Sequence, residues 1–465
     1  MRLILCFLLF TLMLNGQKIV LEKTYGGALK EQLIDVEPTS DGGFGLLGVT
    51  FSYGNGGNDY YLVRINSSGD TLWTKTFGAG ENDSGMSLVK TSDGGFILAG
   101  TKVLNSKGNG WVLKVSSTGI VEWEKSFGGS GNDYFRDVIE TKNGTYLACG
   151  FTNSSGAGDH DAYVVSFDAS GNKLWDETIG GALKDEGRKI LELSNNEGFI
   201  VAGFTTTSGG TGADYLVAKI DSLGNVLWTK NFGNTGEDVA WDVCQAANGL
   251  LYVIGEGYNS SNASKDFYLC KTDLNGLLIS DSFYGGLQED LGRAIVSISD
   301  SLYVFGETSS FGNGKSDLML LSADSNLVQK GMNTYGGTGV ETAWTMKNSG
   351  SNLFLAGNYD SESSTGVDFY FLNLELAVSS PLANSDLINN VVLFPTISSS
   401  LVTLLAPKNS EVKIYNSLGQ EIRQFNTGLV LTTNFSVADL NSGIYTASVC
   451  IENQPPVTVR FIKQN

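Results

Sequence analysis

Short apolar runs separated by turn-forming residues recur along most of the chain. In one stretch they read MSLVK (86–90), GFILAG (95–100), WVLKV (111–115) and IVEWEKSF (120–127). Ser92-Asp93-Gly94 joins the first to the second, and Ser117-Thr118-Gly119 joins the third to the fourth. Such pairs suit tight hairpins, because Gly, Asn and Asp tolerate positive φ. Asp41-Gly42, Asn143-Gly144 and Asn248-Gly249 repeat the first turn, and Ser68-Gly69, Ser170-Gly171 and Asn275-Gly276 the second. An aromatic or apolar residue followed by Gly marks each unit: Tyr25, Phe77, Phe127, Ile179, Phe232, Tyr284 and Tyr335, at steps of 52, 50, 52, 53, 52 and 51. Four antiparallel strands per ~40–50-residue repeat is the pattern of a propeller blade. The first three strands of the unit occur seven times, ending near Leu374. The first copy of the fourth strand is Ile19–Tyr25, ahead of any complete unit. The expectation is an all-β chain with a seven-bladed β-propeller of four-stranded blades over residues 18–376. Its N-terminal strand closes the last blade and removes an exposed edge.

The flanks break this pattern. Met1-Arg2 precedes twelve apolar residues (Leu3–Leu14), then Asn15-Gly16-Gln17. This reads as a secretory signal peptide over 1–16, the run being too short to span a bilayer. No later segment is apolar enough for a membrane span. Residues 377–390 are small and polar, a linker. Residues 391–465 read as a small β-sandwich domain with runs at 391–397, 401–406, 411–425, 443–451 and 458–463.

Composition narrows the chemistry. The 465 residues hold 59 Gly, 6 Pro and 11% aromatics, as a turn-rich β protein should. Net charge is −19 without a basic block, which excludes nucleic acid as a partner. Residues 391–465 carry five basic and four acidic groups, so the charge of about −20 belongs to the propeller. Cys149, Cys244, Cys270 and Cys450 sit in strand-like runs with no zinc spacing, and are read as unpaired thiols. The lone His160, flanked by Asp159 and Asp161, is read as a solvated loop residue. No nucleophile elbow, H-E-x-x-H or P-loop is present.

Two resemblances follow. Trp73–Asp83, Asp93–Gly100 and Asp214–Gly224 resemble secreted bacterial β-propeller repeats (SBBP-type). The likeness covers residues 20–375 and implies a secreted setting but no activity. Val412–Ile422, Leu440–Tyr445 and Val459–Lys463 resemble the C-terminal sorting domain of type IX secretion cargo. Phe394-Pro395-Thr396-Ile397 stands where that family usually has Tyr-Pro-Asn-Pro. This resemblance implies the type IX machinery as a partner of residues 391–465, and a secreted or outer-surface address in a Gram-negative bacterium.

Two carboxylate rings recur on one propeller face. Glu31, Asp83, Asp133, Asp185, Asp238, Asp290 and Glu341 stand six residues past each anchor. Asp59, Asn109, Asp161, Asp214, Asp266, Asp317 and Asp368 precede each third strand. That face should be strongly negative. Recurrence favours backbone capping at loop-to-strand joints. Calcium is the one candidate cofactor, at Asp83, Asp133, Asp185, Asp238 or Asp290. Trp73, Trp123, Trp175 and Trp228 share one register and should pack blade on blade. Nine residues past the anchor the class varies: Ile34, Met86, Arg136, Arg188, Trp241, Arg293 and Trp344. Variation at one fixed place suits asymmetric recognition, and Arg and Trp are binding anchors. Arg136, Arg188, Trp241, Arg293 and Trp344 are therefore the candidate ligand-binding residues. The alternative is that each Arg pairs with a carboxylate and each Trp wedges between blades. The leading functional expectation is a monomeric, non-catalytic binding or adhesion propeller for an extracellular glycan or protein. The alternatives are a polysaccharide hydrolase or lyase using carboxylates at the propeller mouth, and a structural surface-layer component.

Overall fold

A computed structural model describes residues 17–194, 196–206, 212–360, 366–376, 392–394, 397–398, 401–405, 410–427, 432–450 and 457–463. The expected leader (1–16) and linker (377–390) lie outside the described residues. Every regular element among the described residues is a β-strand, and no helix there is long and apolar enough to cross a membrane. The chain divides into two units, Met1–Ala377 and Val378–Asn465.

The first unit consists of seven four-stranded antiparallel sheets. Six are sequential, over residues 31–77, 84–127, 133–179, 185–232, 239–284 and 290–335. The seventh contains Val340–Ser349, Asn352–Asp360 and Asp368–Leu376, and its fourth strand is Gln17–Tyr25. That strand runs antiparallel to the third, with Tyr25 opposite Phe369 and Gln17 opposite Leu376.

Burial within a sheet follows strand position. In sheet one, Phe44–Thr50 and Asp59–Ile65, the second and third strands, are buried at every position, whereas the fourth, Thr71–Phe77, is mostly exposed. The middle strands are covered on both faces, which is why they read as near-continuous apolar runs. Neighbouring sheets pack face to face. Leu47, Tyr60 and Leu62 of sheet one meet Leu88, Phe96, Leu98 and Trp111 of sheet two. Phe44, Leu46 and Val63 meet Phe354, Phe369 and Phe371 of sheet seven. Burial of these apolar faces supplies the main stabilisation, at about 25 cal/mol per Å² removed from water.

The recurring tryptophans join one sheet to the next. Trp123 Nε1 donates to the Ala169 carbonyl (3.1 Å), and Trp228 Nε1 to that of Leu274 (3.2 Å). Each ring lies on the glycine of the following sheet's outer turn. A Cβ on Gly171 would come within 2.9 Å of the Trp123 ring, and one on Gly276 within 3.0 Å of Trp228. In the strand Gln17–Tyr25, Leu21 takes this place against Gly69.

In the second unit one sheet contains Val392–Phe394, Leu401–Leu405 and Thr432–Ser436. The other orders Ile397–Ser398, Val457–Lys463, Gly443–Cys450, Glu411–Tyr415 and Glu421–Asn426. Leu404 and Phe435 of the first share an apolar cluster with Val412, Ile414, Tyr445, Ala447 and Val449 of the second. The four described cysteines are free: Cys149 and Cys270 are buried, Cys244 and Cys450 half-buried.

Candidate functional site

The innermost strand of every sheet carries a bulge at the same place. In the seven strands the pairing register skips between Leu33/Asp35, Gly85/Ser87, Phe135/Asp137, Gly187/Lys189, Ala240/Asp242, Gly292/Ala294 and Ala343/Thr345. The residues skipped are Ile34, Met86, Arg136, Arg188, Trp241, Arg293 and Trp344, the variable positions singled out in the sequence. A bulged residue leaves the ladder and its side chain is re-aimed. All seven converge on one cavity of about 70 Å³.

Their contacts are specific. Trp241 lies between its ring neighbours Arg188 and Arg293, whose guanidinium carbons sit 3.7 and 4.2 Å from its ring centroid. Trp344 meets Trp241 edge-on at 6.4 Å. Arg136 Nε donates to Glu186 Oε1 (2.8 Å), and Arg188 faces the same oxygen at 3.3 Å. Arg293 pairs with Glu256 (3.4 Å) and Glu307 (3.0 Å). The arginines thus have the carboxylate partners that one sequence reading anticipated. Burial lowers Arg188 from its ordinary value to about 10; Glu186 opposes this, and Arg136 and Arg293 add to it.

The next residues form a polar floor: Asp35, Ser87, Asp137, Lys189 and Asp242. These stitch sheet to sheet. Asp35 Oδ2 accepts from the Leu88 amide (2.7 Å), Asp137 Oδ2 from Ile190 (3.1 Å), and Asp242 Oδ2 from Ile295 (2.9 Å). Ser87 Oγ donates to Asp137 (2.9 Å). Lys189 reaches Asp137 at 3.3 Å, and Lys347 reaches Asp35 at 3.1 Å and Glu37 at 2.8 Å. Burial raises Asp242 to about 6 against the pull of Lys189. For Lys189 burial works the other way, but Asp137, Asp242 and Asp35 outweigh it and raise the ammonium pKa.

The carboxylate rings lie inside the joints between sheets. Residues of the first ring are at most 1% exposed, so they do not charge the face as expected. Six of the seven accept the amide four residues earlier, at 2.7–2.8 Å: Gly27–Glu31, Ala79–Asp83, Gly129–Asp133, Gly181–Asp185, Asn234–Asp238 and Gly286–Asp290. The amides of Glu31, Asp83, Asp185, Asp238 and Glu341 cross to the preceding sheet, as Asp83 donates to the Asn58 carbonyl (2.7 Å). The second ring meets the first across the glycine that follows six of the seven anchors, Gly128 meeting Asp133 alone. A Cβ on Gly78 would lie 1.7 Å from Asp59 Oδ1 and 2.8 Å from Asp83 Oδ2. On Gly233 it would lie 2.3 Å from Asp214 and 2.8 Å from Asp238. This close approach is why glycine recurs there. Burial raises Asp59 and Asp266, with Asp83 and Asp290 adding repulsion. Among the described residues no group of three or more His, Cys, Asp or Glu is arranged to hold a metal ion.

Beside the cavity, sharing Met86 and Arg136 with it, is a wider basin of about 740 Å³ between sheets two and three. Asn82, Tyr134 and Phe151 line it, the two aromatic rings stacked at 4.7 Å. His160 lies apart from the cavity, against Phe151 at 4.6 Å, its pKa lowered chiefly by burial. The basin was not foreseen from the sequence. Neither were Glu186, Glu256 and Glu307.

Residues 392–464 match the family model described as the secretion system C-terminal sorting domain. The chain is a type IX secreted β-propeller protein. Among curated proteins it is 26% identical over 246 residues to the regulatory protein FlaEY of Caulobacter vibrioides, covering 50% of this chain and 21% of that protein. The match therefore spans about a fifth of that relative's length. Solved structures with a similar course include the Pan2 WD40 domain of Neurospora crassa (11% identity, 77% of this chain and 97% of that one, TM-score 0.49). They also include the polysaccharide lyase Uly1 (10% identity, 76% and 91%, TM-score 0.47). A third is the β-propeller domain of the Trilobed protease of Pyrococcus furiosus (11% identity, 75% and 96%, TM-score 0.45). None of these three reaches a TM-score of 0.5, and the fold assignment rests on the seven sheets themselves.

Proposed function

We propose that the first unit is a non-catalytic binding module for an extracellular ligand, presented outside the cell after export. Its site is the channel mouth, with Arg136, Arg188, Trp241, Arg293 and Trp344 as contact residues. One observation carries this reading: the inner-strand position that varies from repeat to repeat is the one position whose side chains all reach a common cavity. The ring holding that cavity is closed by Gln17–Tyr25, as its pairing with Asp368–Leu376 supports. A hydrolase or lyase needs carboxyl groups open to substrate. Against that reading, Asp35, Asp137 and Asp242 are each bonded to a backbone amide of the next sheet. A surface-layer role without a pocket would leave the convergence of the seven bulged residues without use.

The test is binding of the full mature chain to arrays of polysaccharides and extracellular proteins, with and without calcium. A saturable hit lost in Trp344→Ala and Arg136→Ala supports the reading. Hits unaffected by both substitutions, or a cleaved product in place of a complex, would overturn it.

A further inference from the structure

The hydrogen-bond balance of the cavity is one-sided. Among the described residues, five buried side-chain nitrogens make no hydrogen bond, and four of them belong to this one lining: Arg188 Nε, which has only its ion pair with Glu186 at 3.3 Å, and Arg188 Nη1, Trp241 Nε1 and Trp344 Nε1, which have no partner. The side chains come from sheets four, five and seven. An unpaired buried donor costs about 1–3 kcal/mol, and three without a partner in one cavity call for an acceptor. The partners already present are shared. Glu186 serves both Arg136 and Arg188, and Glu256 serves both Arg293 and Lys265. The buried Arg188 is held below its ordinary pKa, which fits positive charge that is incompletely matched.

We infer that this cavity takes a single carboxylate, delivered by a sugar acid whose ring lies in the adjoining basin. Size separates the two parts. About 70 Å³ accommodates a carboxylate and excludes a pyranose, whereas the basin of about 740 Å³ is in the range of small-ligand sites. Met86 and Arg136 line both, so the two spaces adjoin at these side chains. The basin is lined by the Tyr134 and Phe151 rings, the Asn82 amide and the Glu81 carboxylate, suited to C–H groups and hydroxyl groups. The carboxylate accepts from the Trp241 and Trp344 indoles and from the Arg188 guanidinium. The chain's net charge of −19 repels polyanions, so a uronic acid ending an otherwise neutral glycan fits better than a polyuronate.

This rests on the channel-mouth reading, and the test separates the two. The full mature chain, in chloride-free buffer, is titrated calorimetrically with glucuronate, acetate and glucose. Glucuronate should bind, acetate should bind more weakly and compete with it, and glucose should give no heat. Trp344→Phe keeps the ring but removes the donor. It should weaken both acids about tenfold, the effect of one charge-assisted hydrogen bond, with an unchanged melting curve. Tyr134→Ala should weaken glucuronate and leave acetate unchanged. Glucose binding as tightly as glucuronate would overturn the carboxylate assignment. Acetate matching glucuronate, or an inert Tyr134→Ala, would overturn the sugar-acid part. If none of the three binds while the arrays give a hit lost in Trp344→Ala, the inference fails and the binding module stands.

Discussion

Gly78→Ala tests the joint between sheets one and two. The added Cβ would lie 1.7 Å from Asp59 Oδ1, about 1.3 Å inside the 3.0 Å that real Cβ atoms respect. Asp83 Oδ2, at 2.8 Å, is a second contact inside that limit. The Asp59 carboxylate must therefore move, and it is only 1% exposed. Moving it breaks the bond from the Asn55 amide (2.8 Å). Loss of a hydrogen bond to a charged group costs about 1.5–3 kcal/mol, and overpacking adds about 1–3 kcal/mol. The sum is about 2.5–6 kcal/mol. With an unfolding entropy of about 2.1 cal/mol/K per residue over about 360 residues, the melting temperature should fall by about 3–8 °C. The assay is thermal unfolding followed by near-ultraviolet circular dichroism. Gly80→Ala is the control. Nothing lies within 4 Å of its Cβ, and it should melt within about 1 °C of the parent. In an Asp59→Ala background the obstructing oxygen is gone, so Gly78→Ala should add little. A Gly78→Ala melt equal to that of the control, or a penalty undiminished in the Asp59→Ala background, would refute the steric account of these glycines.

Glu341 is buried, and burial, with Asp317 and Asp360 adding, raises it from 4.5 to about 7, while the Gly337 amide works to lower it. A carboxyl whose folded pKa is raised favours the fold below its unfolded pKa, and that contribution is lost as pH rises through about 7. Glu341→Gln should therefore melt above the parent at pH 8, with the gap closing by pH 5; a gap independent of pH refutes this. Deleting Gln17–Tyr25 leaves Asp368–Leu376 as an open edge and should cause a steep loss of thermal stability with aggregation, measured by light scattering during the melt. An unchanged melt would refute ring closure by that strand. Deleting residues 391–465 should retain the protein inside the cell envelope on fractionation; undiminished protein outside the cell would sink the sorting assignment.

The strands were legible because each repeat restates them. Period, turns and anchors located all seven sheets and placed Ile19–Tyr25 beside Asp368–Leu374; the paired strands run two residues further, to Gln17 and Leu376. The variable position was legible as well, but the bulge that gives it its reach was not, since nothing in a run such as YFRDV announces an unpaired residue. The partners of the arginines depend on ring assembly. Glu186 lies 50 residues from Arg136, and Glu256 lies 37 from Arg293. A signal for two of them existed in retrospect. Glu256 and Glu307 follow the second-strand glycine, where other sheets have Val49, Thr101, Phe151, Phe204 or Asn358. The carboxylate rings were placed correctly along the chain. Their depth was missed, because the sequence does not show that a neighbouring sheet covers each one.

The bulged residues have a consequence for how such a protein changes over time. Each is the residue its strand leaves out of the ladder, so no backbone pairing fixes its place. The joints, by contrast, tie a carboxylate, a glycine and a neighbouring carboxylate into one fixed arrangement. Substitution at residue 34, 86, 136, 188, 241, 293 or 344 alters the lining of the channel while the arrangement between sheets stays as it was. The cavity lining and the architecture are thereby mutable at different rates within every repeat, and a few changes at these seven positions remake the lining.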